Sequence, residues 1–260
     1  IKFNVSYGHN DENSIMEKSG YRKDNINAKL NAKINKWLTF DFNARMSHQT
    51  INGLDGGADT NESNAASSIV YNTLIYAPIS ELVADGDEDE ESSTATRRSP
   101  SERLQHTYKL QKRFRQDYNA SLTWKPFKGW TAKTEFGYNW RFNDTDQVWA
   151  ARAVSNSSYG YNGMPQSYVQ NVKYRGWRNA NTITYDNRKL FGGRDAINVM
   201  IGQEWQSTKQ SSLTNVYVKF PEKFTTDEVL ANQGAGMALA PKSTIAADDN
   251  MLSFFGRINY

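Results

Sequence analysis

From Tyr118 to Phe142 apolar and polar residues alternate in two runs. In the first, Tyr118, Ala120, Leu122 and Trp124 share one parity, and Asn119, Ser121 and Thr123 take the other. In the second, Trp130, Ala132, Phe136, Tyr138, Trp140 and Phe142 share a face that only Thr134 interrupts. The opposite face carries Thr131, Lys133, Glu135, Gly137, Asn139 and Arg141. A period of two over this length predicts β-strands. Lys125-Pro126-Phe127-Lys128-Gly129 between them predicts a tight reversal, because proline fixes one backbone angle and glycine permits a positive one. The pair therefore reads as a long antiparallel hairpin with one apolar face and one wet face.

The same alternation recurs along the chain. Ile1, Phe3, Val5 and Tyr7 predict a first strand, and Gly8 to Ser19 reads as polar and turn-like. Gly20 to Ile34 predicts a second strand, with Tyr21 out of phase as at a bulge. Leu38 to Met46 predicts a third. Ser47 to Leu104 reads as a long non-strand segment, with a short helix expected over Ala65 to Tyr76, an acidic run from Asp85 to Glu91 and loop from Ser92 to Ser101. Strand parity returns from Tyr108 to Trp124 and leads into the hairpin. Asn143 to Asn171 reads as a second long loop. Trp177, Ile183 and Tyr185 mark a sixth strand, and Ile197 to Trp205 a seventh. Ser207 to Asn250 reads as loop, with a short helix expected near Thr226 to Asn232, and Leu252 to Tyr260 opens an eighth strand.

Short connections at 35–37, 125–129 and 186–195 alternate with long ones at 47–105, 143–171 and 207–250. Strands of about 9–11 residues, apolar on one face and polar on the other, with short turns at one end and long loops at the other, predict an all-β, transmembrane antiparallel up-and-down β-barrel segment of about eight strands. Trp37, Trp124, Phe127, Trp130, Tyr185 and Phe191 gather near the short turns, as an interfacial girdle does. The polar face is too wet for the interior of a β-sandwich. A soluble or surface-anchored carbohydrate-binding β-sheet domain is the alternative.

Composition narrows this little further. Only 38% of the 260 residues are hydrophobic, so the apolar material is concentrated on one face. The net charge of +3 gives no general affinity for polyanions, and no nucleic-acid partner is expected. The chain has no cysteine, which excludes disulfides, thiolate nucleophiles and Cys-ligated metal. No apolar run approaches the roughly 18 residues of a transmembrane helix. No signal-peptide pattern is present. The chain begins and ends within strands, so residues 1–260 read as part of one larger barrel domain.

Candidate chemistry is sparse. His9, His48 and His106 all fall near the loop-side ends of strands and read as rim residues rather than metal ligands. The run Asp85 to Glu91 lacks calcium-loop spacing and reads as a solvated loop tip. Glu135 and Glu204 read as wall charges, not as a catalytic pair. No nucleophile, phosphate or dinucleotide motif is present, so neither catalysis nor a cofactor is expected. Trp149, Tyr159, Tyr161 and Tyr168 are the candidate substrate-contacting residues, able to stack on sugar rings or to pack their own loops.

Four stretches, YRKDNINAKLNAKINKWLTFDFNARMS, SLTWKPFKGWTAKTEFGYNW, NTITYDNRKLFGGRDAINVMIGQEWQ and SFFGRINY, resemble in order and spacing the barrel of SusC/RagA-type TonB-dependent outer-membrane transporters. SSIVYNTLIYAPISEL in the first long segment resembles them too. The resemblance implies a barrel of about 22 strands closed by an N-terminal plug. It implies a bacterial outer-membrane importer of glycans or peptides, partnered by a SusD-like surface lipoprotein and by TonB acting through a plug outside this sequence. It transfers no substrate-contacting residue, because the match is weakest in the loops.

Overall fold

The computed structural model describes residues 1–53, 73, 99–151, 164–190 and 193–260. Eight long strands form one antiparallel meander: β1 (Lys2–Asn13), β2 (Gly20–Lys33), β3 (Leu38–Asn52), β4 (Thr107–Trp124), β5 (Trp130–Trp149), β6 (Gln166–Leu190), β7 (Asp195–Val218) and β10 (Asp249–Asn259). Each pairs with the strand before it, β10 with β7, and the sheet is open between β1 and β10. The short strands β8 (Met237–Ala238) and β9 (Lys242–Ile245) extend the loop-side edge of β7. Helix α1 (Pro100–Gln105) precedes β4, and α2 (Thr226–Ala231) lies in the β7–β10 connection.

The short reversals cluster at one end. Ile34 N–H donates to the Leu38 carbonyl at 2.9 Å, and Trp130 N–H to the Phe127 carbonyl at 3.1 Å. Gly129 holds φ +84 there, and a Cβ on it would come within 2.6 Å of the Asp186 carbonyl oxygen. Only glycine meets both demands. Lys125 N–H donates to the Trp37 carbonyl at 2.7 Å and Asp186 N–H to the Gly129 carbonyl at 2.8 Å, so adjacent turns are stitched together.

Directly paired residues share a face, so the register identifies both surfaces. One row reads Phe3, Leu30, Phe42, Ala120, Phe136, Asn179, Trp205, Leu252. The adjacent row on the other face reads Lys2, Asn31, Asp41, Ser121, Glu135, Ala180, Glu204, Ser253. Large apolar side chains on the first face are exposed: Phe136 is 50% and Ile201 60% exposed. A water-soluble sheet buries such a face.

The strands run further toward the loops than their alternation predicts. β1 continues to Asn13, β3 to Asn52, β5 to Trp149 and β7 to Val218, while β6 begins at Gln166 and β10 at Asp249. Polar residues occupy both faces of these extensions, which is why period two fades while backbone pairing persists. Tyr21 is not at a bulge: it pairs in register with Glu12 and Ile51 and lies on the wet face. The one register shift in the β6–β7 ladder lies between Asn187 and Leu190, where β6 carries one residue more than β7, and β6 extends to Leu190 past the expected turn. The loop expected over Ser92 to Ser101 ends in the first residues of α1. Of the helix expected over Ala65 to Tyr76 only Thr73 is described, and it is helical. The run Asp85 to Glu91 lies outside the described residues.

The helix expected near Thr226 is α2. Thr225 caps it: Glu228 N–H donates to the Thr225 hydroxyl at 3.3 Å, and Thr225 N–H donates to the Glu228 carboxylate at 2.7 Å. Those donors hold the Glu228 carboxyl below its ordinary value, the backbone N–H first and the hydroxyl second. Phe220 and Val229 bury themselves against Val148, with Tyr108, Tyr217 and Phe224 around them. This small core fastens the β7–β10 connection onto the loop-side end of the apolar-parity face.

Candidate functional site

The wet face is a wall of mixed charge. The Arg178 guanidinium donates to both carboxylate oxygens of Glu204, at 2.7 and 2.8 Å. Lys133 pairs with Glu135, two residues along the same strand. Glu135 and Glu204 share a cross-strand row, separated by Ala180. Each carboxylate has its own cation, so they form no acid–base pair. Asn31 donates to Asp41 between β2 and β3. A hollow of ≈ 540 Å³ is lined from this face by Lys29, Asn43, Asn119, Glu135 and Arg178. The arrangement offers donors, acceptors and both charges to a passing polar solute.

Close packing on this wall depends on glycine. Asn119 opposes Gly137, and Asn139 opposes Gly176. A Cβ on Gly137 would meet Asn119 Oδ1 at 3.1 Å. The Oδ1 atoms of Asn43, Asn139 and Asn143 are buried without a hydrogen-bond partner.

The sequence-derived candidates are only partly brought together. Trp149 pairs with Gln166 and Tyr168 with Gln147, so Trp149 and Tyr168 are diagonal neighbours on the wet face at the loop end. Tyr159 and Tyr161 lie outside the described residues. His9 and His48 flank Asp24 in one cross-strand row on the apolar-parity face, and the His9 ring lies 2.7 Å from the Asp24 carboxylate. Tyr7 O–H donates to the same carboxylate at 2.6 Å. His106 sits in the turn before β4. Among the described residues no three ligating side chains converge.

A second aromatic belt escaped the reading of the sequence. Near the short turns Trp130 and Tyr185 lie 5.0 Å apart. On the same face toward the loops, Phe114 meets Trp140 edge-on at 5.6 Å and Trp177 meets Trp205 at 4.9 Å. Trp130 and Trp140 are about 33 Å apart along β5, or roughly 25 Å in height for a strand tilted as barrel strands are. That is the height of the apolar band of an outer-membrane barrel. The belts escape notice along the chain because each gathers one or two residues from several strands.

No protein-family model matches the chain. The chain is 24% identical over 207 residues to the TonB-dependent receptor P39 of Formosa agariphila, covering 78% of this chain and 18% of the relative. Its fold matches a solved structure of the RagAB peptide transporter with a TM-score of 0.69 at 17% identity, covering 99% of this chain and 28% of that one. It matches the RagAB peptide importer in its open-open state with a TM-score of 0.67 at 16% identity, covering 99% of this chain and 27% of that one. The chain thus spans under a third of the length of these relatives, which are named as a receptor and a transporter, not as enzymes. The resemblance read from the sequence therefore stands: in sequence and in fold, this chain is similar to part of the barrel of a TonB-dependent receptor.

Proposed function

We propose that residues 1–260 form part of the wall and outer loops of a TonB-dependent, SusC-like importer in the bacterial outer membrane. The carrying observation is the continuous meander whose apolar face stays half-exposed between two aromatic belts while the opposite face is wet and mixed in charge. A bilayer solvates the first face and an aqueous lumen the second. A soluble carbohydrate-binding domain is disfavoured, because between the belts large apolar side chains such as Phe136 and Ile201 stay half-exposed.

Within the importers of glycans or peptides, we favour peptide uptake. A wall offering Arg178, Glu204, Lys133 and Glu135 suits a solute that carries both charges and amides better than a neutral sugar. The RagAB neighbours are described as peptide transporters, which supports the same reading. A SusD-like lipoprotein would cover the loops, and TonB would act through a plug. Uptake of fluorescent peptides and of oligosaccharides by whole cells, with and without TonB, tests this. TonB-dependent peptide uptake is expected. Uptake that persists without TonB, or of oligosaccharides alone, overturns it.

A further inference from the structure

The outer face carries a second chemistry just beyond the loop-side belt. Arg175 lies directly across from Lys209 and, on its other side, from Trp140. Lys173, two residues from Arg175, lies across from Phe142 and Ser211 on the same face. All three cations are exposed. Lys209 contacts the Asp248 carboxylate at 2.6 Å. Asp144, one row nearer the loops, opposes Lys112 and accepts from Asn171. Against Asp144 and Asp248 this patch therefore sets Lys112, Lys173, Arg175 and Lys209. Like charges directly opposed across a sheet are unfavourable, and Asp248 reaches this trio only at Lys209 among the contacts of the described residues. Trp177 and Trp205 form the adjoining edge of the apolar band.

We propose that this patch binds the phosphate-bearing headgroup of a lipid in the outer leaflet. The phosphate sits between Lys173, Arg175 and Lys209, and the first acyl carbons lie along Trp177 and Trp205. The occupant follows from position: cations at the edge of a half-exposed apolar band face headgroups, and a lipid phosphate carries its own apolar tail to that band. The inference rests on the proposal that the apolar face meets a bilayer.

The test uses the full-length barrel, delipidated in non-ionic detergent and followed by native mass spectrometry with added phosphatidylglycerol or phosphatidylcholine. Phosphatidylglycerol should be retained in preference. The double variant Lys173→Glu/Arg175→Glu should weaken that retention by about tenfold or more, since each basic residue near an anionic surface contributes several-fold. Heat-modifiable mobility verifies folding, and Lys173→Gln/Arg175→Gln replaces the reversal if the latter fails to assemble. Unchanged retention in a folded variant overturns the proposal. So does displacement by an equal concentration of inorganic phosphate, which marks a free-anion site. A variant that changes oligomeric state but not lipid retention reassigns the patch to a protein interface and overturns it as well. Failure of the wild-type barrel to insert into vesicles removes the bilayer reading beneath it, and is told apart because insertion is measured separately.

Discussion

Asn139 on β5 lies over Gly176, its direct partner on β6, so closely that a Cβ on the glycine would come within 2.5 Å of Asn139 Oδ1. The two residues form one packed unit: the missing side chain of one makes room for the amide of the other. Gly176→Ala forces that amide out of its place or spreads the strands. It should cost about 1–3 kcal/mol, the range for overpacking. The urea midpoint of refolding into lipid vesicles measures it. In Asn139→Ala/Gly176→Ala the obstruction is gone, so the second substitution should cost far less than in the parent. Equal costs in both backgrounds would place the penalty in the glycine backbone and not in this pair.

The β7–β10 connection carries its own pH dependence. Thr225 holds the Glu228 carboxyl below its ordinary value of 4.5, so the carboxylate stabilises α2 above that pH. A depressed folded-state pKa means that this contribution is lost as pH falls through the folded value. The protection of Val229 and Leu230 against hydrogen exchange, taken relative to the intrinsic rate at each pH, should therefore fall on acidification from neutral to below the ordinary glutamate range. Glu228→Gln should flatten that dependence, and Thr225→Ala should quicken exchange already at neutral pH. A profile unchanged by Glu228→Gln would assign the acid sensitivity to another group.

Much of the sheet is legible because its two faces differ in kind along most of each strand. Between the two belts one parity is mostly apolar, with Thr134 and Asn179 as exceptions, so Trp124 and Trp130 to Phe142 announce their strands and their facing. Beyond the loop-side belt polar residues occur on both faces and the returning β7–β10 connection covers part of one, so the alternation lapses. Asn143 to Trp149 therefore reads as loop although it continues β5 without a break. The features that needed the structure are those made by register. Trp177 and Trp205 are ordinary apolar positions in sequence and become a belt only when β6 and β7 are aligned. The contact of Val148 with Phe220 and Val229 is likewise made by the return of a distant loop. Of the candidate aromatics, Trp149 and Tyr168 converge through pairing that no local pattern announces.

Sidedness follows from the two ends of the sheet. The short reversals should face the periplasm and the long connections, including 150–165 and the segment around α2, the exterior. The chain brings no cysteine of its own. Glu222, exposed beside α2, and Lys36, exposed in the β2–β3 turn, are suited to single substitution by cysteine. On intact cells a membrane-impermeant maleimide should label Glu222→Cys and spare Lys36→Cys until the outer membrane is opened. Labelling of Lys36→Cys alone would invert the barrel.

Facing can be tested at two adjacent residues. Phe136 shares its row with Phe42 and Trp205 and is half-exposed, so it should point to lipid. Glu135 shares its row with Asp41 and Glu204 and pairs with Lys133, so it should point to the lumen. Phe136→Arg puts a charge into hydrocarbon and should cost about 2–4 kcal/mol at the midplane, less toward either interface. Glu135→Arg breaks a partly exposed ion pair and sets like charges beside one another. In a wet lumen that costs no more than about 1 kcal/mol. Urea midpoints of refolding into vesicles for the two full-length variants give the comparison directly. Greater damage from Glu135→Arg would mean that the register is displaced by one residue, since a one-residue slip exchanges the faces of the whole strand. Equal and severe damage would mean that both faces are buried in protein, and β5 would then not be a barrel wall.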